Sequence, residues 1–312
     1  MKKNITLLCA TNRGITFLKK FLDIYQKCNL TVFCFREEPW EPPFMDDIRE
    51  FTLSKNGQFF EARQFTNARW ENYWASAEVD LMLAVNWRYI LPKSVYQRPK
   101  LGTFIFHDSF LPEYRGYSPT VWAMINGEDY TGVSLFEASE KMDEGLIVDQ
   151  IKIPITKGDD IAIVTERVTQ GYLQILEKNL ENLINGKASR YPQDHSLATY
   201  TCKRLPRDNK INWHAPTVEI YNLIRAVTIP YSGAYTYLDG QELRIWSSSL
   251  LENGARKFIG SIPGRIIEVR KNIGSVVLTG DGALLINSVQ SYYGGQICAA
   301  NVLNSMYQTL GI

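Results

Sequence analysis

The chain has almost no excess charge of either sign. Lysine and arginine number 34 against 33 aspartate and glutamate, a formal net charge of +1 over 312 residues. No overall field draws in a polyanion, which counts against nucleic acid as a partner. Long hydrophobic runs are missing too. None approaches a bilayer span, and the apolar stretch after Met1-Lys2-Lys3-Asn4 is too short for a secretory signal. A cytoplasmic protein without membrane attachment is the expectation. Cysteine is sparse and odd in number. Cys9, Cys28, Cys34, Cys202 and Cys298 lack paired ligand spacing, so neither a disulfide scaffold nor a metal site is indicated, and all five read as reduced, buried thiols. The loop after the first apolar run has no complete GxGxxG, so a dinucleotide is not indicated. Internal repeats and low-complexity segments are also absent.

What is present reads as an ordinary globular composition, 45% hydrophobic and 21% charged, in a chain long enough for two domains. Residues 5–10 form an apolar run ending in Thr11-Asn12-Arg13-Gly14. Residues 15–25 follow with helical spacing through Phe17, Leu18, Phe21 and Leu22, and residues 30–35 give a second strand. This β-α-β opening predicts an α/β fold, a doubly wound and mostly parallel Rossmann-like sheet. Further strands are expected at 59–63, 80–85, 103–106, 132–137 and 146–155. Helices are expected at 45–54, around 70–74, at 120–126 and, as the longest, at 159–187.

The chain is organised around residues 101–119. An aromatic strand, Thr103-Phe104-Ile105-Phe106, breaks at His107 into a loop shaped by Pro112, Arg115, Gly116 and Pro119. In open α/β sheets the carboxyl ends of the strands form the ligand crevice, and His107 has that address among only three histidines. Its alternative is a strand-end imidazole satisfied by a neighbouring carbonyl. Asp143 has the alternative of a turn residue before Gly145. Arg115 serves either to hold the loop by backbone hydrogen bonds or to meet a substrate phosphate.

Gly102, His107, Ser109, Leu111-Pro112, Tyr114-Arg115-Gly116 and Pro119, then Gly127-Glu128, Thr131-Gly132-Val133 and Asp143-Glu144-Gly145, appear in order. This pattern resembles the folate-dependent formyltransferase family that uses N10-formyltetrahydrofolate as formyl donor. The resemblance implies that His107 handles protons and that Asp143 orients the imidazole. It also implies that the loop Asn86, Trp87, Arg88, Tyr89 and Ile90 holds the folate together with Arg115, Gly116 and Tyr117. Ser109, Thr11 and Asn12 are the candidate acceptor-binding residues. Among the aromatics, Trp40, Trp87 and Tyr231 are candidates to stack on a ring.

One position departs from the family. Two residues before the histidine the family carries an asparagine that stabilises the oxyanion, and here that residue is Ile105. Losing such a donor costs about two to three orders of magnitude in rate. Either Asn86 or Thr103 substitutes, or the acyl chemistry is altered, or catalysis is weak. A substitute donor is favoured because His107, Asp143 and the loop between them are retained.

Residues 191–205 change character and read as a linker between a domain at 1–190 and another at 206–312. Beyond it a helix at 217–227 precedes short strands with turn signals, and a small OB-like β-barrel is the natural closure. Asp208 to Trp213, Ile224-Arg225-Ala226, Pro230-Tyr231-Ser232-Gly233-Ala234, Ile245-Trp246-Ser247-Ser248 and Gly280-Asp281-Gly282 resemble the members that formylate nucleotide-linked amino sugars, such as a uridine-diphosphate-linked 4-amino-4-deoxy-arabinose. The resulting expectation is a cytoplasmic N-formyltransferase of polysaccharide biosynthesis with a nucleotide-sugar substrate. It would use no nucleic acid, and a homodimer is the oligomer that analogy offers. The rivals are methionyl-tRNA formyl transfer and a catalytically silent binder of folate or nucleotide sugar.

Overall fold

Five parallel strands set the frame that carries the candidate site. The computed structural model describes residues 2–39, 41–251, 258–291 and 294–312. In chain order the first elements are β1 (Lys3–Cys9), α1 (Thr11–Ile24), β2 (Cys28–Cys34), α2 (Met45–Ser54), β3 (Gln58–Glu61), α3 (Ala68–Ser76), β4 (Leu81–Val85), α4 (Lys93–Tyr96), β5 (Thr103–His107) and the two-residue β6 (Arg115–Gly116). There follow α5 (Pro119–Ile125), β7 (Tyr130–Glu137), β8 (Ile147–Pro154), α6 (Ile161–Ile184) and β9 (Tyr200–Thr201).

The sheet runs β3-β2-β1-β4-β5-β7-β8. Its first five strands are parallel, and β7 and β8 are antiparallel additions. Every residue of β4 is buried, as expected of a parallel strand covered on both faces. Helix α1 buries Phe17, Leu18, Phe21 and Leu22, the stripe its spacing dictates. The chain forms two compact units, Met1–Pro119 with Tyr130–Pro154 and Glu166–Cys202, and Thr120–Asp129 with Ile155–Thr165 and Lys203–Ile312. Residues 191–202, linker by composition, thus belong to the first unit, where β9 pairs with β6.

The second unit contains α7 (Thr217–Val227), β10 (Ala234–Leu238), β11 (Gln241–Leu250), β12 (Ile266–Arg270), β13 (Gly274–Leu278), β14 (Ala283–Ser291) and β15 (Gln296–Cys298). These strands form an antiparallel sheet in the order β10-β11-β14-β13-β12, with β15 on β14. The carboxyl-terminal residues bridge its two edges. Leu310 pairs with Leu238 at the end of β10, and Thr309 pairs with Arg265 just before β12. Backbone edges are thereby covered without direct pairing of β10 to β12.

Candidate functional site

The loops at the carboxyl ends of β1, β4 and β5 share an unusual backbone. Eight non-glycine residues have positive φ among the described residues: Thr11, Asn56, Asn86, Tyr114, Ser118, Asp143, Asp239 and Asn272. Five of them, Thr11, Asn86, Tyr114, Ser118 and Asp143, lie on the segments singled out by sequence, with φ of 65°, 54°, 57°, 53° and 56°. Left-handed backbone costs an L-residue energy and persists where surroundings enforce it, which makes its concentration here a mark of a built site.

His107 is the last residue of β5 and is buried. Its Nε2 lies 3.0 Å from the Tyr114 carbonyl oxygen, and its Nδ1 lies 3.8 Å from Asp143 Oδ2. A carbonyl only accepts, so Nε2 carries a hydrogen, and in the neutral form of the ring the lone pair is then on Nδ1, on the side of the carboxylate. Asp143 is fixed in turn by the Gly116 N–H, which donates to Oδ2 at 2.8 Å. Glycine is required at two places in this lattice. A Cβ on Gly145 would stand 1.6 Å from the Glu137 carbonyl oxygen, and one on Gly116, whose φ is +108°, would stand 2.4 Å from that of Thr201. The Asp-x-Gly turn is therefore pressed against β7 and the Arg-Gly step against β9.

Arg115 is fully enclosed. Its guanidinium donates to Gln193 Oε1 at 3.2 and 2.6 Å, to the Tyr200 hydroxyl at 3.0 Å and to His195 Nδ1 at 3.0 Å, and pairs with Glu144 at 3.3 Å. Those partners leave it no face for a phosphate and favour the loop-holding alternative. Ser109 is likewise spent inside the loop, its buried hydroxyl donating to the Glu113 carbonyl at 2.7 Å. Tyr117 joins the same lattice through its N–H to the Thr201 carbonyl at 3.3 Å.

Beside His107 lies a polar cluster that pattern reasoning missed. Arg13 Nη1 reaches both Asp108 oxygens at 2.7 Å and Asn86 Oδ1 at 2.9 Å, while its Nε donates to Thr169 at 3.1 Å. The Tyr172 hydroxyl donates to Asp108, and Asn86 Nδ2 donates to the Thr11 hydroxyl at 2.8 Å. Burial pushes the Asp108 carboxyl up, but Arg13 and Tyr172 outweigh it and hold the group below its ordinary value. Burial beside Asp108 also pushes the Tyr172 hydroxyl well above its usual range. Opposite charges just past β1 and β5, the strands on either side of β4, were the available signal: Arg13 and Asp108. Asn12 is exposed at the start of α1.

Of the two candidate substitute donors, Thr103 is remote. It begins β5, four residues before His107, and its buried hydroxyl donates to the Tyr96 carbonyl at 2.8 Å. Asn86 is near. It directly follows β4, whose last residue Val85 pairs with Phe106, the residue before His107. Ile105 itself packs with Leu111, Phe136 and Ile147, hydrocarbon where the amide is expected.

The loop after β4 has the character of a holder for a flat heterocycle. Trp87 stacks on Phe65 at 5.7 Å and meets Phe35 and Tyr89 edge-on. Arg88 lies 4.7 Å over the Phe35 ring and pairs with Glu41 at 2.8 Å, and Ile90 is 78% exposed. Among the described residues, the backbone N–H groups of 87–91 donate to no protein acceptor, and the buried Trp87 indole N–H has no partner. Unused main-chain donors beside an aromatic floor suit the polar edge of a pterin. Trp40 lies outside the described residues. Among the described residues no three His, Cys, Asp or Glu side chains gather as a metal site.

Residues 38–180 match the Formyl transferase family, and residues 205–307 match its C-terminal domain. The chain belongs to the formyl transferase family. Membership places it among formyl-transferring enzymes, as its motifs implied. It is 33% identical over 210 residues to the bifunctional polymyxin resistance protein ArnA of Wigglesworthia glossinidia brevipalpis, covering 67% of this chain and 32% of that protein, so it spans about a third of that relative. It is 31% identical over 243 residues to the methionyl-tRNA formyltransferase of Alkaliphilus oremlandii, covering 78% of this chain and 76% of the relative. The fold is similar to an N-formyltransferase from Helicobacter canadensis in complex with folinic acid and dTDP-3-aminofucose, with TM-score 0.69, 19% identity, and 94% and 100% of the two chains covered. The doubly wound sheet with a separate carboxyl-terminal sheet unit is the architecture expected from sequence.

Cys202 is exposed, not buried as expected, where it ends the segment that carries β9. Cys9 and Cys34 are buried, Cys28 and Cys298 are partly so, and no disulfide joins the described cysteines. No helix among the described residues is long and apolar enough to cross a membrane.

Proposed function

We propose that this formyltransferase moves a formyl group from N10-formyltetrahydrofolate to the amine of a nucleotide-linked amino sugar. The observation that carries the reading is His107 held at the strand ends between the Tyr114 carbonyl and the Asp143 carboxylate. Formyl transfer to an amine makes one N–C bond, breaks another, and removes a proton from the attacking nitrogen. His107 Nδ1 would take that proton, with Asp143 stabilising the imidazolium, and would then pass it to the nitrogen from which the formyl group departs. The folate supplies the formyl group when bound. Residues 86–90 would hold it, with Trp87 as the aromatic floor. Asn86 supplies the amide donor that Ile105 lacks. One Nδ2 hydrogen goes to Thr11, and the other meets no acceptor among the described residues.

The sugar acceptor draws support from the near-neutral charge, from the relative named for polymyxin resistance and from the neighbour solved with dTDP-3-aminofucose. A cytoplasmic role in polysaccharide synthesis belongs to the same proposal. The experiment is a panel of amino-sugar nucleotides incubated with N10-formyltetrahydrofolate and read by mass, where one member gains one formyl unit. The methionyl-tRNA formyltransferase similarity motivates a second arm with initiator tRNA. Formylation there, with affinity falling steeply as salt rises, replaces the sugar reading. Ile105 motivates a third outcome. Thermal stabilisation by folate with no product from any acceptor marks a silent binder.

A further inference from the structure

Both partners of His107 are themselves held by a segment whose composition reads as a spacer. Tyr114, whose carbonyl takes the Nε2 hydrogen, has a left-handed backbone with φ of 57°. Its N–H donates to Thr199 Oγ1 at 2.8 Å, the Thr199 N–H donates to the Pro112 carbonyl at 3.3 Å, and the Arg115 N–H donates to the Thr199 carbonyl at 2.9 Å. Thr199 therefore grips the chain on both sides of Tyr114. Asp143 is gripped by Gln193. The Gln193 amide nitrogen donates to the Asp143 and Gly145 carbonyls, each at 2.8 Å, while its oxygen accepts from Arg115. Gln193 is 6% exposed, and a buried amide with these four bonds has one arrangement open to it. The Thr201 hydroxyl donates to the Arg115 carbonyl at 3.0 Å and closes the strap.

We propose that residues 193–201 form a strap belonging to the catalytic apparatus, with Thr199 and Gln193 as positioning residues that fix the tautomer and orientation of His107. Thr199 holds the acceptor for Nε2–H in its left-handed conformation, and Gln193 ties the Asp143 turn to the Arg115 loop. This rests on His107 being the proton-transfer group of the reaction proposed above, but the ring's tautomer can be observed without turnover.

The test compares Thr199→Ala, Thr199→Ser, Gln193→Ala and the parent chain. Histidine ring nitrogens are read by 15N-detected NMR, where only three histidines contribute. The parent shows His107 as the Nε2–H tautomer. Thr199→Ala shifts the ring toward a mixture of tautomers, and Thr199→Ser, which keeps the hydroxyl, restores the parent signals. In turnover, Thr199→Ala and Gln193→Ala lower kcat by about tenfold or more while KM for the acceptor moves less than about threefold, as expected of orientation rather than binding. Thr199→Ser recovers most of the loss. Folded alanine variants with unchanged ring signals and unchanged kcat, differing from the parent only in Tm, overturn the proposal. If the parent formylates no acceptor, the reaction assigned above fails while the ring signals still decide the strap. A variant that does not fold transfers the decision to its partner, because Thr199 and Gln193 act on different anchors.

Discussion

Arg13 Nη1 sits 2.7 Å from both carboxylate oxygens of Asp108, joining the loop after β1 to the residue that follows His107. The pair is largely buried, with side-chain exposures of 6% and 22%, and the same guanidinium holds Asn86 at 2.9 Å. One ion pair thus connects the ends of β1, β4 and β5.

Breaking that pair leaves a buried charge without its counter-ion. Asp108→Asn is expected to destabilise the protein by about 2–3 kcal/mol at neutral pH, less than a wholly buried pair because Asp108 is partly solvated. Asp108 is held below its ordinary value when folded. Its stabilisation is therefore present above the unfolded value of about 4 and is lost as pH falls through the lower folded value. Tm measured from pH 7 to pH 2 should fall for the parent below about pH 4, with a shallower slope in that window for Asp108→Asn.

Asn86 and Thr103 make opposite predictions. Asn86→Ala should lower kcat by about two to three orders of magnitude, the cost of one oxyanion donor, and should also lower Tm, because it removes the partner of Arg13 and Thr11 and puts alanine at a left-handed position. Thr103→Ala should leave kcat within about threefold, since its hydroxyl serves the Tyr96 carbonyl at the far end of β5. Steady-state kinetics on the acceptor identified by the mass panel separates the two. Equal losses from both would remove Asn86 from the role.

Ile105 tests the same idea from the other side. It packs with Leu111, Phe136 and Ile147, so Ile105→Asn should cost about 1–3 kcal/mol of stability. With Asn86 present, the added amide duplicates a donor and should change kcat by less than about tenfold. In the Asn86→Ala background it should restore kcat by about tenfold or more. A large gain from Ile105→Asn alone would mean that the parent has no oxyanion donor.

The sheet was legible because β1, β2, β4 and β5 carry apolar runs and its long helices carry one buried stripe. Met45–Ser54 and Thr217–Val227 form at the residues their spacing predicts. His107 and Asp143 were legible through a strand end and an Asp-x-Gly turn, and they do converge. The supports were not. Gln193 and Thr199 are uncharged, lie in a segment without periodicity, and meet their partners across 50 and 85 residues of chain. Arg115 stood open between two uses until its burial became visible, because an arginine that binds a phosphate and one that fastens a loop look alike in sequence.

Thiol chemistry offers a check on the packing of the sheet that needs neither substrate nor cofactor. Burial pushes the Cys34 thiol up to about 12, with Glu37 adding to it, and burial pushes Cys9 well up too, so neither supplies thiolate near pH 8. Cys202 is exposed at the end of the strap, one residue past β9. An aromatic disulfide reagent at pH 8 should label Cys202 first and leave Cys9 and Cys34 untouched until denaturant is added, with Cys28 and Cys298 between. Peptide mapping after a short pulse assigns the site. Fast labelling of Cys34 in the native protein would contradict the packing of β2, since that thiol lies in the sheet beside β1 and β3 and opens only when those strands part.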